Sequence, residues 1–345
     1  MLSKHQDIKS LIPVYLLTGF LGSGKTTLLN QLVSHSESRD TAIIVNEIGE
    51  VGLDHLLIET AFDSAVLLQN GCICCSMRGD LVDTLLMLLN RRDHGDIPGF
   101  ARVVIETTGL ADPAPIMQQL LAQSNLVEYF QFAEVVTTVD VVNGARQLAD
   151  HKESRHQVAI ADRIMKTKLD LATPAALQSL EKQIGGLNPH VPQHNISHGV
   201  FDPRRLFDAD VEHSGKDWDI EKLVELTSLD GHGHVHQDAI KTYCLQTQVP
   251  IYWWALKAWM ESITSLRGND LLRVKGIVNV VESDRPVIIH VVNHIFHKPE
   301  SLDKWPDGNR TTQIVLVTRN LVLQDLKNAL FALNGEAGKK LELSA

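Results

Sequence analysis

Cysteine is scarce in this 345-residue chain: there are four, and Cys72, Cys74 and Cys75 fall within four consecutive positions. A disulfide scaffold spreads its cysteines along a small secreted chain, so this clustering points to thiolate chemistry in a reducing compartment. No apolar run approaches the roughly 20 residues needed to span a bilayer. The apolar stretch 11–22 lacks the basic flank and small-residue cleavage site of a secretion signal. No basic block offsets the formal net charge of −10, which argues against general nucleic-acid binding. No internal repeat or low-complexity tract stands out. These absences predict a cytoplasmic protein that engages neither membrane nor nucleic acid. What remains, 44% hydrophobic and 21% charged, is the composition of an ordinary globular chain, long enough for two cores.

The strongest positive feature is Gly-Phe-Leu-Gly-Ser-Gly-Lys-Thr-Thr at residues 19–27, a complete G-x-x-x-x-G-K-T phosphate loop. It follows the apolar run Val14–Leu17 and opens directly into a helical pattern from Thr27 to Val33. Backbone N–H groups freed by Gly19, Gly22 and Gly24, with Ser23 and Thr27 beside them, can point at a polyphosphate. The helix N-terminus adds partial positive charge. Lys25 is placed to reach the β- and γ-phosphates, and the Thr26 hydroxyl to ligate Mg²⁺. The spacing therefore predicts a nucleoside triphosphate site.

Strand-like runs at Val14–Leu17, Ala42–Val45, Ala65–Leu68, Arg102–Ile105, Val135–Val139 and Arg163–Met165 alternate with helical patterns at Leu81–Leu89 and Ala176–Ile184. Such alternation predicts an α/β fold, a P-loop domain over residues 1–200 with a mainly parallel sheet covered on both faces. Residues 201–239, rich in His, Asp and Gly, read as a linker. A smaller α+β domain follows over residues 240–345, in the order β-α-β-β-β-α. Its first helix is expected to be opened by Pro250 and to run to Leu266.

Two more segments complete the nucleotide reading. Val103–Ile105 leads into Glu106 and, three positions on, Gly109. A carboxylate at that strand end can hold Mg²⁺ directly or through water, and the Gly109 N–H can meet the γ-phosphate and sense its loss. Thr167-Lys168-Leu169-Asp170 follows the strand-like Arg163–Met165. Asp170 could accept from both guanine donors, N1–H and the N2 amino group, which selects GTP over ATP. The stem of Lys168 could cover the base, and Asn188-Pro189 could supply a loop closing over it. No glutamine occupies the position that orients water in signalling GTPases, so no catalytic base is assigned.

Cys72, Cys74 and Cys75, read as a turn, can converge on one borderline or soft cation, and three sulfurs leave a fourth position open. Glu47 and Glu50, after the second strand, are the candidates for that position. His232, His234 and His236 alternate and could act as accessory ligands, solvated histidines being the plain alternative. His290, His294 and His297 read as sheet and loop residues, and Cys244 as a small core residue.

With these residues in view the chain resembles the CobW-type GTPases, a family of GTP-dependent metal chaperones and cofactor-insertion proteins. The pieces that match are Gly19–Thr27, Asn46–Gly52, Gly71–Cys75, Glu106–Pro113 and Ala161–Asp170. Leu271–Gly276 and Trp305-Pro306 match the family's C-terminal domain. Thr167 stands where the general GTPase motif has Asn. The resemblance implies a GTPase in which Lys25, Thr26 and Glu106 position the phosphates and the cysteine motif carries a divalent metal. Zinc is the first expectation and cobalt the next. It implies delivery to a client metalloprotein, with a homodimer the assembly considered. The rival reading is a nucleotide-regulated redox or metal sensor, or an interaction protein, that transfers no metal; a small-molecule kinase on the same loop is a third.

Overall fold

The structure, a computed structural model, describes residues 11–35, 40–45, 66–67, 73–76, 81–189, 191–197, 200–202, 204–207, 240–268, 270–292, 295–296, 299–305, 308 and 310–342. The predicted strands in the first part form, with small shifts at their ends. They are β1 (Ile12–Gly19), β2 (Thr41–Val45), β3 (Val66–Leu67), β5 (Arg102–Glu106), β6 (Phe130–Asp140) and β7 (Arg163–Thr167). Two more join them, β4 (Ile73–Ser76) and β8 (Gln193–Asn195). The sheet order is β3-β4-β2-β5-β1-β6-β7-β8; only the β3–β4 pairing is antiparallel.

The period of two along β1 sorts its side chains between two cores. Val14 and Leu16 pack with Leu85 and Leu88 of helix α2 (Leu81–Asp93) and Met117 and Leu120 of α3 (Ala114–Ala122). Tyr15 and Leu17 face Leu28 and Leu32 of α1 (Lys25–Ser34) on the other side. β1 therefore lies in the middle of the sheet, buried on both faces, and delivers the phosphate loop at the sheet's C-terminal edge. After the short α4 (Ser124–Val127) come α5 (Gly144–Asp150), α6 (Lys152–Ile160) and α7 (Pro174–Leu187), which bury Leu148, Val158 and Leu180 against Val139 and Ile164.

The linker reading holds less far than its first boundary suggests. A turn of helix, Arg204–Phe207, packs on the core of Tyr15 and Leu17: Leu206 is buried and Phe207 meets the Tyr15 ring edge-on at 5.3 Å. The remainder of the linker, with His232, His234 and His236, lies outside the described residues.

The second sheet is antiparallel, β12-β11-β10-β14-β9, with β13 against β11. These are β9 (Ile240–Thr247), β10 (Leu271–Val278), β11 (Val287–Val292), β12 (Ile295–Phe296), β13 (Glu300–Ser301) and β14 (Thr312–Arg319). Strands β12 and β13 were not expected; at two residues each they carry no readable alternation. One face is covered by the helices Trp253–Arg267 and Leu323–Glu342, joined where the buried Trp259 Nε1 donates to Leu326 O at 2.9 Å. The first of these begins at Trp253 after Tyr252, not at Pro250; Ile251 pairs with Val280 and keeps the chain extended there.

The other face lies on the first domain, where Leu272, Val292 and Val317 join the core that includes Ile160. At its centre the buried Asp162 receives Arg273 Nη2 and the Val135 N–H, with His290 Nε2 at 3.4 Å and Lys275 Nζ at 3.9 Å. Among the described residues no helix is long and apolar enough to cross a membrane.

Candidate functional site

The phosphate loop is built from its backbone outward. Gly19 has φ 143°, and a Cβ there would lie 2.5 Å from Thr138 O and 2.3 Å from its Oγ1, so only glycine fits. The loop's far side is pinned by side chains from β6 and β7. Ser23 Oγ and Thr138 Oγ1 are 2.6 Å apart, and the Thr167 hydroxyl donates to Ser23 O at 2.7 Å. Lys25, 8% exposed, reaches back along the loop, donating to Gly19 O at 2.8 Å and Phe20 O at 3.2 Å. Burial pulls its pKa below the ordinary lysine value, and the charge of Glu106 opposes that shift. Thr26 and Thr27 are exposed in the first turn of α1.

Glu106 ends β5 opposite Leu17 of β1 and Val45 of β2. It is buried beside the loop, where parallel pairing of three strand ends brings it. The chain continues through Thr107, whose Oγ1 donates to Thr18 Oγ1 at 2.9 Å, to Gly109, packed so closely on Leu21 that a Cβ would lie 2.8 Å from the Leu21 nitrogen. Thr26 and Glu106 thus offer a hydroxyl and a carboxylate on neighbouring elements, the hard oxygen donors that suit Mg²⁺.

On the far side of the loop a cavity of about 170 Å³ is lined by Gly24, Thr27, Leu28, Thr167, Lys168, Asp170 and Ile196. Lys168 adopts a left-handed backbone, φ 59°, rare for a residue with a side chain and a form of local strain that concentrates at functional sites. It is held there by Nζ, which donates to Gly22 O and to Asp140 Oδ2, each at 2.8 Å. Burial pushes the Asp140 carboxyl up, but hydrogen bonds from Asn143, Lys168 and the Val142 N–H outweigh it and hold it below the usual range. The turn after Lys168 leaves Asp170 exposed at the cavity.

Two expectations change. Asn188 does not close over the base: it is buried at the end of α7, donating from Nδ2 to Val158 O at 2.9 Å and Ala161 O at 2.8 Å. The cavity beside Asp170 is walled instead by Ile196, just beyond β8, whose N–H donates to Lys166 O. Cys74 and Cys75 lie on strand β4, paired with Ile43 and Ile44, rather than on a turn. Two strands from β5, Cys75 is level with Ile105, one residue before Glu106, and Cys74 is level with Val104 in mid-strand. Cys72, Glu47 and Glu50 lie outside the described residues. Among the described residues no three His, Cys, Asp or Glu side chains converge as a metal site.

Sequence reasoning missed Thr138 and Asp140. Asp140, an acid ending a strand in Val-Val-Thr-Thr-Val-Asp, carried a usable signal; Thr138 carried none.

Residues 13–195 match the model of the family described as CobW/HypB/UreG, nucleotide-binding domain, and residues 240–334 that of the cobalamin synthesis protein cobW C-terminal domain. The chain is 31% identical over 323 residues to the zinc chaperone YjiA of Escherichia coli, covering 93% of this chain and 98% of that one. It is 26% identical to zinc-regulated GTPase metalloprotein activator 1 of Saccharomyces cerevisiae, over 93% of this chain and 83% of the relative. The crystal structure of Zn(II)-bound YjiA GTPase from E. coli superposes with a TM-score of 0.70 at 28% identity, over 94% of this chain and 99% of that one.

Proposed function

The chain belongs to the CobW/HypB/UreG family, and on that premise we propose that it is a GTPase that carries zinc and hands it to a client metalloprotein. The observation that carries the reading is a shared sheet edge. The phosphate loop and Glu106 lie at the C-terminal ends of β1 and β5, and the end of the cysteine strand β4, at Ser76, is level with Glu106 two strands away, so a nucleotide and an ion held near that strand end would lie along one sheet edge.

In this reading Lys25 and the loop amides hold the β- and γ-phosphates, and their fixed positive potential stabilises charge on the transferring phosphoryl group. Thr26 and Glu106 would hold Mg²⁺, which neutralises phosphate charge when bound. Asp170 accepts from the two donors of guanine while Lys168 and Ile196 wall the base. Asp170→Asn should therefore erase the preference for GTP over ATP, because an amide cannot accept from both donors. Competition binding with the two nucleotides checks this, and equal affinities in the unmutated protein would remove the guanine assignment.

Zinc is the cargo favoured by thiolate donors and by the names of the relatives; cobalt is second. Cys72, Cys74 and Cys75, with Glu47 or Glu50, are the proposed ligands. If their affinity follows the nucleotide, bound metal must shift the relative affinities for GTP and GDP by the same factor. A coupling of about 1–3 kcal/mol, roughly 5- to 150-fold, is expected. Cys74→Ser and Cys75→Ser should each weaken zinc binding and remove the coupling while leaving nucleotide affinity largely intact. The test is a zinc competition titration with a non-hydrolysable GTP analogue, with GDP and without nucleotide, in Mg²⁺ and reductant. Identical zinc affinities in all three states would favour the sensor reading without transfer.

A further inference from the structure

Helices α5 and α6 brace both walls of the γ-phosphate region. On one side Gln147 Nε2 donates to Leu21 O at 3.4 Å, and His151 stacks on Phe20 with ring centres 4.6 Å apart. On the other, Gln157, 1% exposed, directs its amide group at the segment after Glu106: Nε2 donates to Gly109 O at 3.2 Å and to Ala111 O at 3.1 Å. Each of the two amide hydrogens serves one carbonyl, which fixes both peptide planes. The α6 backbone is itself held, since Thr137 Oγ1 donates to Gln157 O at 3.0 Å and Arg273 Nη1 to Ile160 O at 2.6 Å.

The remaining atom is the informative one. Gln157 Oε1 is buried with no hydrogen-bond partner among the described residues. A buried unsatisfied acceptor is unfavourable, and a leucine would fill the same volume without it. Packing therefore does not account for a glutamine here, whereas its two donated bonds do. They hold Gly109 against Leu21, the docked arrangement in which a Cβ on Gly109 would strike the phosphate-loop backbone.

We propose that Gln157 is a positioning residue for triphosphate recognition: it keeps Gly109 docked on the phosphate loop, so that the site distinguishes GTP from GDP. This rests on the reading of Gly109 as the γ-phosphate contact. Because the brace continues through Ile160 into Arg273, the second domain supports the geometry from behind.

The experiment uses the full chain with Mg²⁺ and measures affinity for a non-hydrolysable GTP analogue and for GDP, the hydrolysis rate, and the melting temperature. Gln157→Leu should weaken the analogue about tenfold while GDP stays within about twofold, and should lower kcat; the melting temperature should fall only modestly, because Gly109 O and Ala111 O lose a donor while the unsatisfied Oε1 is removed. Gln157→Met serves if the leucine variant does not fold. Gly109→Ala should cost the same selectivity, and adding Gln157→Leu to it should cost no more, since both act through one contact. Equal weakening of both nucleotides by the Gln157 variants, or no change in either, overturns the proposal. An unchanged preference in Gly109→Ala overturns the γ-phosphate reading beneath it.

Discussion

Replacing Lys25 by alanine is expected to lower GTP turnover by at least about 10²–10³-fold, the scale on which one preorganised group facing developing charge is lost. The side chain is buried within the loop it serves, anchored on Gly19 O and Phe20 O, so its ammonium is placed before any substrate arrives. Glu106 supplies the opposing charge nearby, and burial strengthens every electrostatic contact made there. Alanine leaves the loop's glycine turns and its Ser23–Thr138 and Thr167–Ser23 pins in place, so the fold should persist while catalysis is lost. Phosphate release at saturating GTP and Mg²⁺, alongside circular dichroism, separates the two effects. Turnover within tenfold of the unmutated protein would sink the assigned role of Lys25.

The second large effect is expected where the domains meet. Arg273→Ala leaves Asp162 buried with the Val135 N–H and the more distant cations of Lys275 and His290, and breaking a buried pair from one side costs about 3–5 kcal/mol. The two single variants should not match. Asp162→Asn removes the charge that needs a partner but strands Arg273, and the double variant with Asp162→Asn and Arg273→Met should recover much of the loss. The pH dependence follows from the same cluster. Burial alone would raise the Asp162 pKa, but Arg273, then His290 and Lys275, outweigh it and hold the carboxyl far below the usual aspartate range. A depressed folded-state pKa gives stability that is fully present above the unfolded value near 4 and lost as pH falls through the folded value. Domain docking should therefore survive mild acid and fail only well below pH 4. Chemical denaturation from pH 7 downward measures this. A loss in Arg273→Ala under about 1 kcal/mol would show that the ion pair is not what seats the second domain.

The elements that were legible in the chain are those whose cause is local. Val14–Leu17 reads as a strand because it is buried on both faces, and Gly19–Thr27 reads as a phosphate loop because its glycines, lysine and threonines act within nine residues. Asp170 was legible for the same reason, set two residues after the bend at Lys168 that exposes it. Thr167 was read at the base, yet its hydroxyl is given to Ser23 O, 144 positions away, a pairing no local pattern announces.

Sequence alone thus determined the main strands of the first sheet, the nucleotide loop, the cysteine cluster and the division into two folded parts. Periodic burial and short-range spacing are written along the chain. Only the tertiary structure decided that Asn188 is a buried helix end, that Cys74 and Cys75 sit on a strand, and that Gln157 holds Gly109. It also decided that Asp162 faces Arg273, 111 residues further on. In each case a polar group takes as partner whatever the packed sheet and helices bring within hydrogen-bond reach. That proximity comes from the assembly of the whole core, and no run of neighbouring residues encodes it.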